Sequence, residues 1–194
     1  QSLKEILNGE LWPGAEATRN NVLDLLPEIS THLLHFYGHA TSKPDALNNA
    51  WLELSPSGPQ DSAFRLYAYD FYGMRVPWEM AIFSACESSL GVEQVGEGIF
   101  SLSRALHIAG CQHTLATIWE SDADVNSMLM KQYVKLLKEG LGKAEALQQT
   151  QIWFMTQKDP FRHHPIQWAN FRLISNDEPI AFSVESPLWK QPIF

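Results

Sequence analysis

The sequence predicts an α/β fold, a mostly parallel central sheet with helices on both faces. Three observations point to it. Short apolar runs at residues 33–37, 80–85 and 114–118 suit strands buried on both faces. Stretches with helical spacing of apolar residues separate or follow those runs, the order of an α/β chain. The composition, 45 % apolar and 19 % charged over 194 residues, is that of a globular chain able to bury a substantial core. One domain spanning residues 1–194 is the natural reading at this length.

Taken in order, residues 3–8 suit a scrap of helix or a linker, and Pro13-Gly14 a turn. Thr18 caps a helix with Val22, Leu25 and Leu26 inward, closed by Pro27. The run at 33–37 is the first buried strand, and 38–49 a polar loop. Residues 51–54 suit an edge strand, followed by the turn Pro56-Ser57-Gly58-Pro59. Residues 66–72 are ambiguous and fit a short helix. The run at 80–85 is the second strand, with a loop over 86–97. Ile99, Leu102, Leu106 and Ala109 then recur at helical spacing up to Gly110, a C-terminal stop. Residues 114–118 are the third strand. Asp122 or Asp124 caps a helix whose face, Val125, Met128, Leu129, Tyr133, Leu136 and Leu137, ends at Gly140. A second helix covers 143–155, a loop 161–165 and a last strand 171–174. Residues 181–194 form a tail without clear period.

The totals exclude several classes. The net charge is −8 and no basic cluster stands out, so direct nucleic-acid contact is not expected. Lys131, Lys135 and Lys138 are spaced along one helix and suit a solvated face. There are two cysteines, Cys86 and Cys111, with no paired framework, which points to a reducing cytoplasm. No run approaches the roughly 18 apolar residues that a membrane span needs. The chain starts at Gln1 without a signal-peptide pattern, as the C-terminal fragment of a longer protein would.

The chemistry concentrates at two places. The second strand stops at Cys86, and the first at Gly38-His39. In parallel α/β sheets ligands bind beyond the carboxyl ends of the strands. Two such ends side by side bring a thiol and an imidazole together. A thiolate is the nucleophilic form of cysteine, and a neighbouring imidazole raises its share at neutral pH. The backbone N–H groups of Ala40 and Cys86 are the candidate donors to an oxyanion. Cys111, after Gly110 and before a strand, suits a buried hydrophobe. His35, four residues before His39 on the same strand face, suits a hydrogen-bonded structural histidine better than a third catalytic member. His163-His164 lack the spacing of a metal site, and no cofactor is expected.

FYGHA at 36–40, FSACESSLG at 83–91, GEGIFSLSRALHIAG at 96–110 and TLATIWESDAD at 114–124 resemble the CHAT domains. So do the helices at 133–151 and HHPIQWANFRLI at 163–174, so the resemblance covers nearly the whole chain. CHAT domains are bacterial relatives of the caspase and separase cysteine peptidases. The resemblance implies a caspase-like fold, a catalytic His39, a nucleophilic Cys86, and peptide-bond hydrolysis in a protein substrate without metal or cofactor. It also implies an upstream sensor, often of helical repeats, or a regulatory partner. The family pattern W-x-V-x-D meets Trp119 here but has Ala123 at its Asp, with Asp122 and Asp124 on either side; Ser88 replaces a usual Thr. Asp122, Asp124 and Glu87 are the candidate substrate-binding acids, although both aspartates fit helix N-caps equally well. The alternative function is a catalytically silent caspase-like scaffold, against which stand the retained Cys86 and His39.

Overall fold

The three apolar runs become neighbouring strands at the middle of a six-stranded sheet. The computed structural model describes residues 2–11, 13–26, 28, 31–42, 50–58, 64–86, 95–120, 122–157 and 163–182. Its strands are β1 (Leu33–Ser42), β2 (Ala50–Glu53), β3 (Arg65–Tyr67), β4 (Met80–Cys86), β5 (His113–Thr117) and β6 (Phe171–Ile174). They lie in the order β3-β2-β1-β4-β5-β6. Only β1–β4 and β4–β5 pair in parallel; β1–β2, β2–β3 and β5–β6 are antiparallel. The expectation of a mostly parallel sheet is therefore corrected to a mixed one with a parallel centre. The reason lies in the connections. A parallel crossover takes about a dozen or more residues. The link 43–49 is far shorter, so β2 must return antiparallel to β1, and the link 54–64 is at the margin of that length.

Further differences follow from pairing that no local pattern announces. β1 continues through Ser42, where a polar loop was expected, because residues 39–42 pair with β2. β2 is not the edge: the short β3, where a helix was considered, covers it, and a 3-10 turn follows over Ala68–Gly73.

The helices are α1 (Leu3–Leu7), α2 (Arg19–Leu25), α3 (Val95–Ala109), α4 (Ala123–Lys138), α5 (Lys143–Met155) and α6 (Pro165–Trp168). Thr18 caps α2 through Oγ1, which accepts from Asn21 N at 3.3 Å. After α3 and α4 the backbone reverses through Gly110 (φ +113°) and Gly140 (φ +91°), a region that only glycine enters without strain.

Alternation along the central strands divides the core in two. Ala81 and Phe83 of β4 join Leu102, Ala105 and Leu106 of α3 and Val22 of α2, and the Phe83 ring stacks on Phe36 at 5.3 Å. Met80 and Ile82 face the other way, with Leu33 and Leu115, onto Leu129, Tyr133 and Leu137 of α4 and Phe154 of α5. Helices thus cover both faces. A strand apolar on both sides is what two such covers require.

Candidate active site

The β1/β4 ladder runs from Leu33 opposite Met80 to His39 opposite Cys86, its last pair. Neighbouring strands lie about 4.8 Å apart, so His39 and Cys86 are adjacent along the backbone. Cys86 is the last residue of β4. His39, expected just past a strand end, lies inside β1 because β2 prolongs that strand. Its side chain is exposed. The Cys86 side chain and the whole of Glu87 lie outside the described residues.

Leu33, His35, Tyr37 and His39 alternate onto one face of β1. Leu33 packs with α4 and α5, so that face is theirs. Below the His39–Cys86 pair, His35 Nε2, four residues before His39, meets Ser84 Oγ, two before Cys86, at 2.8 Å, joining β1 to β4. Burial pushes the His35 imidazole down to about 4, so it is neutral at pH 7. The Tyr37 ring stands edge-on to His35 at 6.4 Å and is exposed beside His39. His35 is thus a hydrogen-bonded histidine of the sheet. Ser84 was missed, although its period-two spacing from Cys86 was a usable signal.

Ala40 is buried, and its side chain belongs to the opposite core, among Leu52, Leu66 and Phe83. Asp122 and Asp124 are both exposed at the start of α4. Asp122 Oδ1 accepts from Asp124 N at 2.8 Å and Val125 N at 3.2 Å, so this carboxylate is the N-cap. Hydrogen bonds, one of them between two buried asparagines, fix the segment before that cap. Ile118 N donates to Asn170 O at 2.8 Å, Asn170 Nδ2 to Asn126 Oδ1 at 2.8 Å, and Trp119 Nε1 to Ile166 O at 2.9 Å. Neither asparagine was singled out in the sequence, because nothing local distinguishes a buried amide from an exposed one.

Cys111 is fully buried, and its thiol donates to the His113 carbonyl at 3.4 Å. Burial pushes that thiol up to about 11, which suppresses its thiolate at neutral pH. Among the described residues, no three His, Cys, Asp or Glu side chains are grouped as a metal ion would need. Among the same residues, no helix is long and apolar enough to cross a membrane.

This chain is 26 % identical over 112 residues to the human Tetratricopeptide repeat protein 28. The match covers 58 % of this chain but spans only 4 % of that protein's length. A model of the CHAT domain matches residues 1–176, and the chain belongs to the CHAT domain family.

Proposed function

We propose that this chain is a caspase-like cysteine peptidase domain that hydrolyses a peptide bond in a protein substrate. The observation that carries the reading is the register, which sets His39 opposite Cys86 at the end of a parallel ladder in a CHAT domain. In this reading His39 takes the thiol proton, and the sulfur bonds to the scissile carbonyl carbon. The carbonyl π pair moves to oxygen, where the N–H groups of Cys86 and Ala40 meet it. Collapse breaks the C–N bond, and the leaving amine takes the proton from His39. Water then cleaves the thioester, releasing the acid and restoring the thiol. Asp124, Glu87 and the free oxygen of the Asp122 carboxylate are the groups offered to a basic substrate side chain. Regulation by a preceding helical-repeat region, or by a partner, is part of the proposal. The repeat named in the human relative supports it.

The test is alkylation by iodoacetamide, with the label located by mass spectrometry. A free thiol with a pKa of about 8.5 is only about 1 % thiolate at pH 6.5, so an assembled dyad has roughly a hundredfold to gain. Fast labelling of Cys86 at pH 6.5, slowed at least about tenfold in His39→Ala, with Cys111 silent, is the expected result. Cys86→Ala abolishes cleavage of any substrate found. Equal, slow labelling of Cys86 in both proteins, with or without the preceding region, would refute the dyad and favour a scaffold.

A further inference from the structure

The register that sets Cys86 on one side of His39 sets a carboxylate on the other. In the antiparallel β1–β2 pair, His39 lies opposite Glu53, and Glu53 in turn lies opposite Arg65 of β3. Arg65, Glu53, His39 and Cys86 therefore form one straight row across four adjacent strands. Residues opposed in a ladder share a face, with Cβ atoms about 4.5–5.5 Å apart across an antiparallel pair. The two ring nitrogens of an imidazole lie on opposite edges of the ring. A row with the thiol-bearing residue on one flank and a carboxylate on the other matches that arrangement.

We propose that Glu53 is a positioning residue for His39, orienting the imidazole toward Cys86 and stabilising the imidazolium that forms when it takes the thiol proton. This inference rests on the dyad reading above. The surroundings leave Glu53 open to the role. The Arg65 guanidinium lies over the Trp51 ring at 4.8 Å and the Phe64 ring at 5.6 Å. Among the described residues, no ion pair joins Glu53 to Arg65 or to His39. Both Glu53 and His39 are exposed. A carboxylate attracts an imidazolium far more than a neutral imidazole, so the contact tightens as the proton arrives, as catalytic hydrogen bonds often do. The other titratable groups on the same strand face are His35, held by Ser84, and Tyr37. Neither is a carboxylate that would substitute for Glu53.

The experiment is an NMR titration of the histidine rings in the 194-residue chain carrying Cys86→Ala, which removes coupling to the thiol. Glu53→Gln should lower the His39 midpoint by about 0.5 pH, Glu53→Asp should lower it less, and His113 should not move. With Cys86 present, Glu53→Gln should slow alkylation at pH 6.5 by about three- to tenfold, and Glu53→Asp should restore part of the rate. An unchanged His39 midpoint in Glu53→Gln overturns the proposal. If that midpoint holds still while His39→Ala slows alkylation, Glu53 is dismissed and the dyad stands. If the midpoint moves but His39→Ala leaves alkylation unchanged, the dyad reading fails and the positioning role falls with it.

Discussion

His35 sits four residues below His39 and carries none of the proposed chemistry, yet it ties the two strands of the site together. Its bond to Ser84 Oγ joins β1 to β4 just beneath the His39–Cys86 pair. Burial lowers its pKa from 6.5 to about 4, with a consequence for stability. Below pH 6.5 the unfolded chain binds a proton at His35 that the folded chain refuses, so stability falls with pH between about 6.5 and 4. Above pH 6.5 both states are neutral there, and the contribution is constant. The full loss is about 3 kcal/mol, since each pKa unit is worth about 1.4 kcal/mol. His107 and His113 are also lowered by burial and act in the same direction. The useful quantity is therefore a difference. His35→Gln should show a shallower fall in denaturation midpoint from pH 7 to pH 4.5 than the wild type. Parallel curves for the two proteins would mean that His35 titrates alike in both states.

At the scale of elements, Asp122 separates two roles that the sequence left open. As an N-cap it accepts from two backbone N–H groups at the positive end of α4. Asp122→Ala should cost about 1 kcal/mol of stability, while Asp122→Asn, which keeps the cap, costs little. Turnover that drops equally in both, with Asn as stable as wild type, would reveal a substrate-binding carboxylate. Turnover retained in Asp122→Asn would leave capping alone. The elements also show what a sequence can reveal. α5 and β6 were legible to the residue: α5 is a run of helix formers opened by Gly142, and β6 a short apolar run closed by Ser175-Asn176. The end of β1 was not. Residues 38–42 are small and polar, and become strand only by pairing with β2. The same holds for the candidate site. His39 and Cys86 could be placed at strand ends from local pattern alone. Glu53 could not, since its position beside His39 is a matter of register between two strands.

Over the whole molecule, the candidate site and the main buried charge lie at opposite ends of the sheet. His39 and Cys86 lie toward the carboxyl ends of the parallel strands, whereas Glu79 directly precedes β4. There Glu79 Oε1 meets Lys143 Nζ at 3.6 Å, and Glu79 Oε2 meets His32 Nδ1 at 3.3 Å. Lys143 is almost wholly buried and also donates to the Glu178 carbonyl at 2.6 Å. The segment after β6 is clasped to the start of α5. Asp177 Oδ1 accepts from Ala144 N at 2.8 Å, and Gly142 bridges to Pro179. A methyl group on Gly142 would meet Asp177 O at 2.5 Å, so glycine is what lets the two segments touch. Lys143→Met keeps the apolar stem and removes the charge and the donor. It leaves the Glu178 carbonyl unpaired, which costs about 1–3 kcal/mol. The cost stays below that of a fully buried broken pair, because the Glu79 side chain is 29 % exposed and can hydrate. The span from Met80 to Cys86, at about 3.3 Å per residue, puts roughly 20 Å between this foundation and the His39–Cys86 pair. Lys143→Met should therefore lower Tm while the alkylation rate of Cys86, measured well below the melting range, stays at the wild-type value. A parallel loss of alkylation at temperatures where the variant is fully folded would show that the clasp at the foot of the sheet sets the register of β1 against β4 at its top.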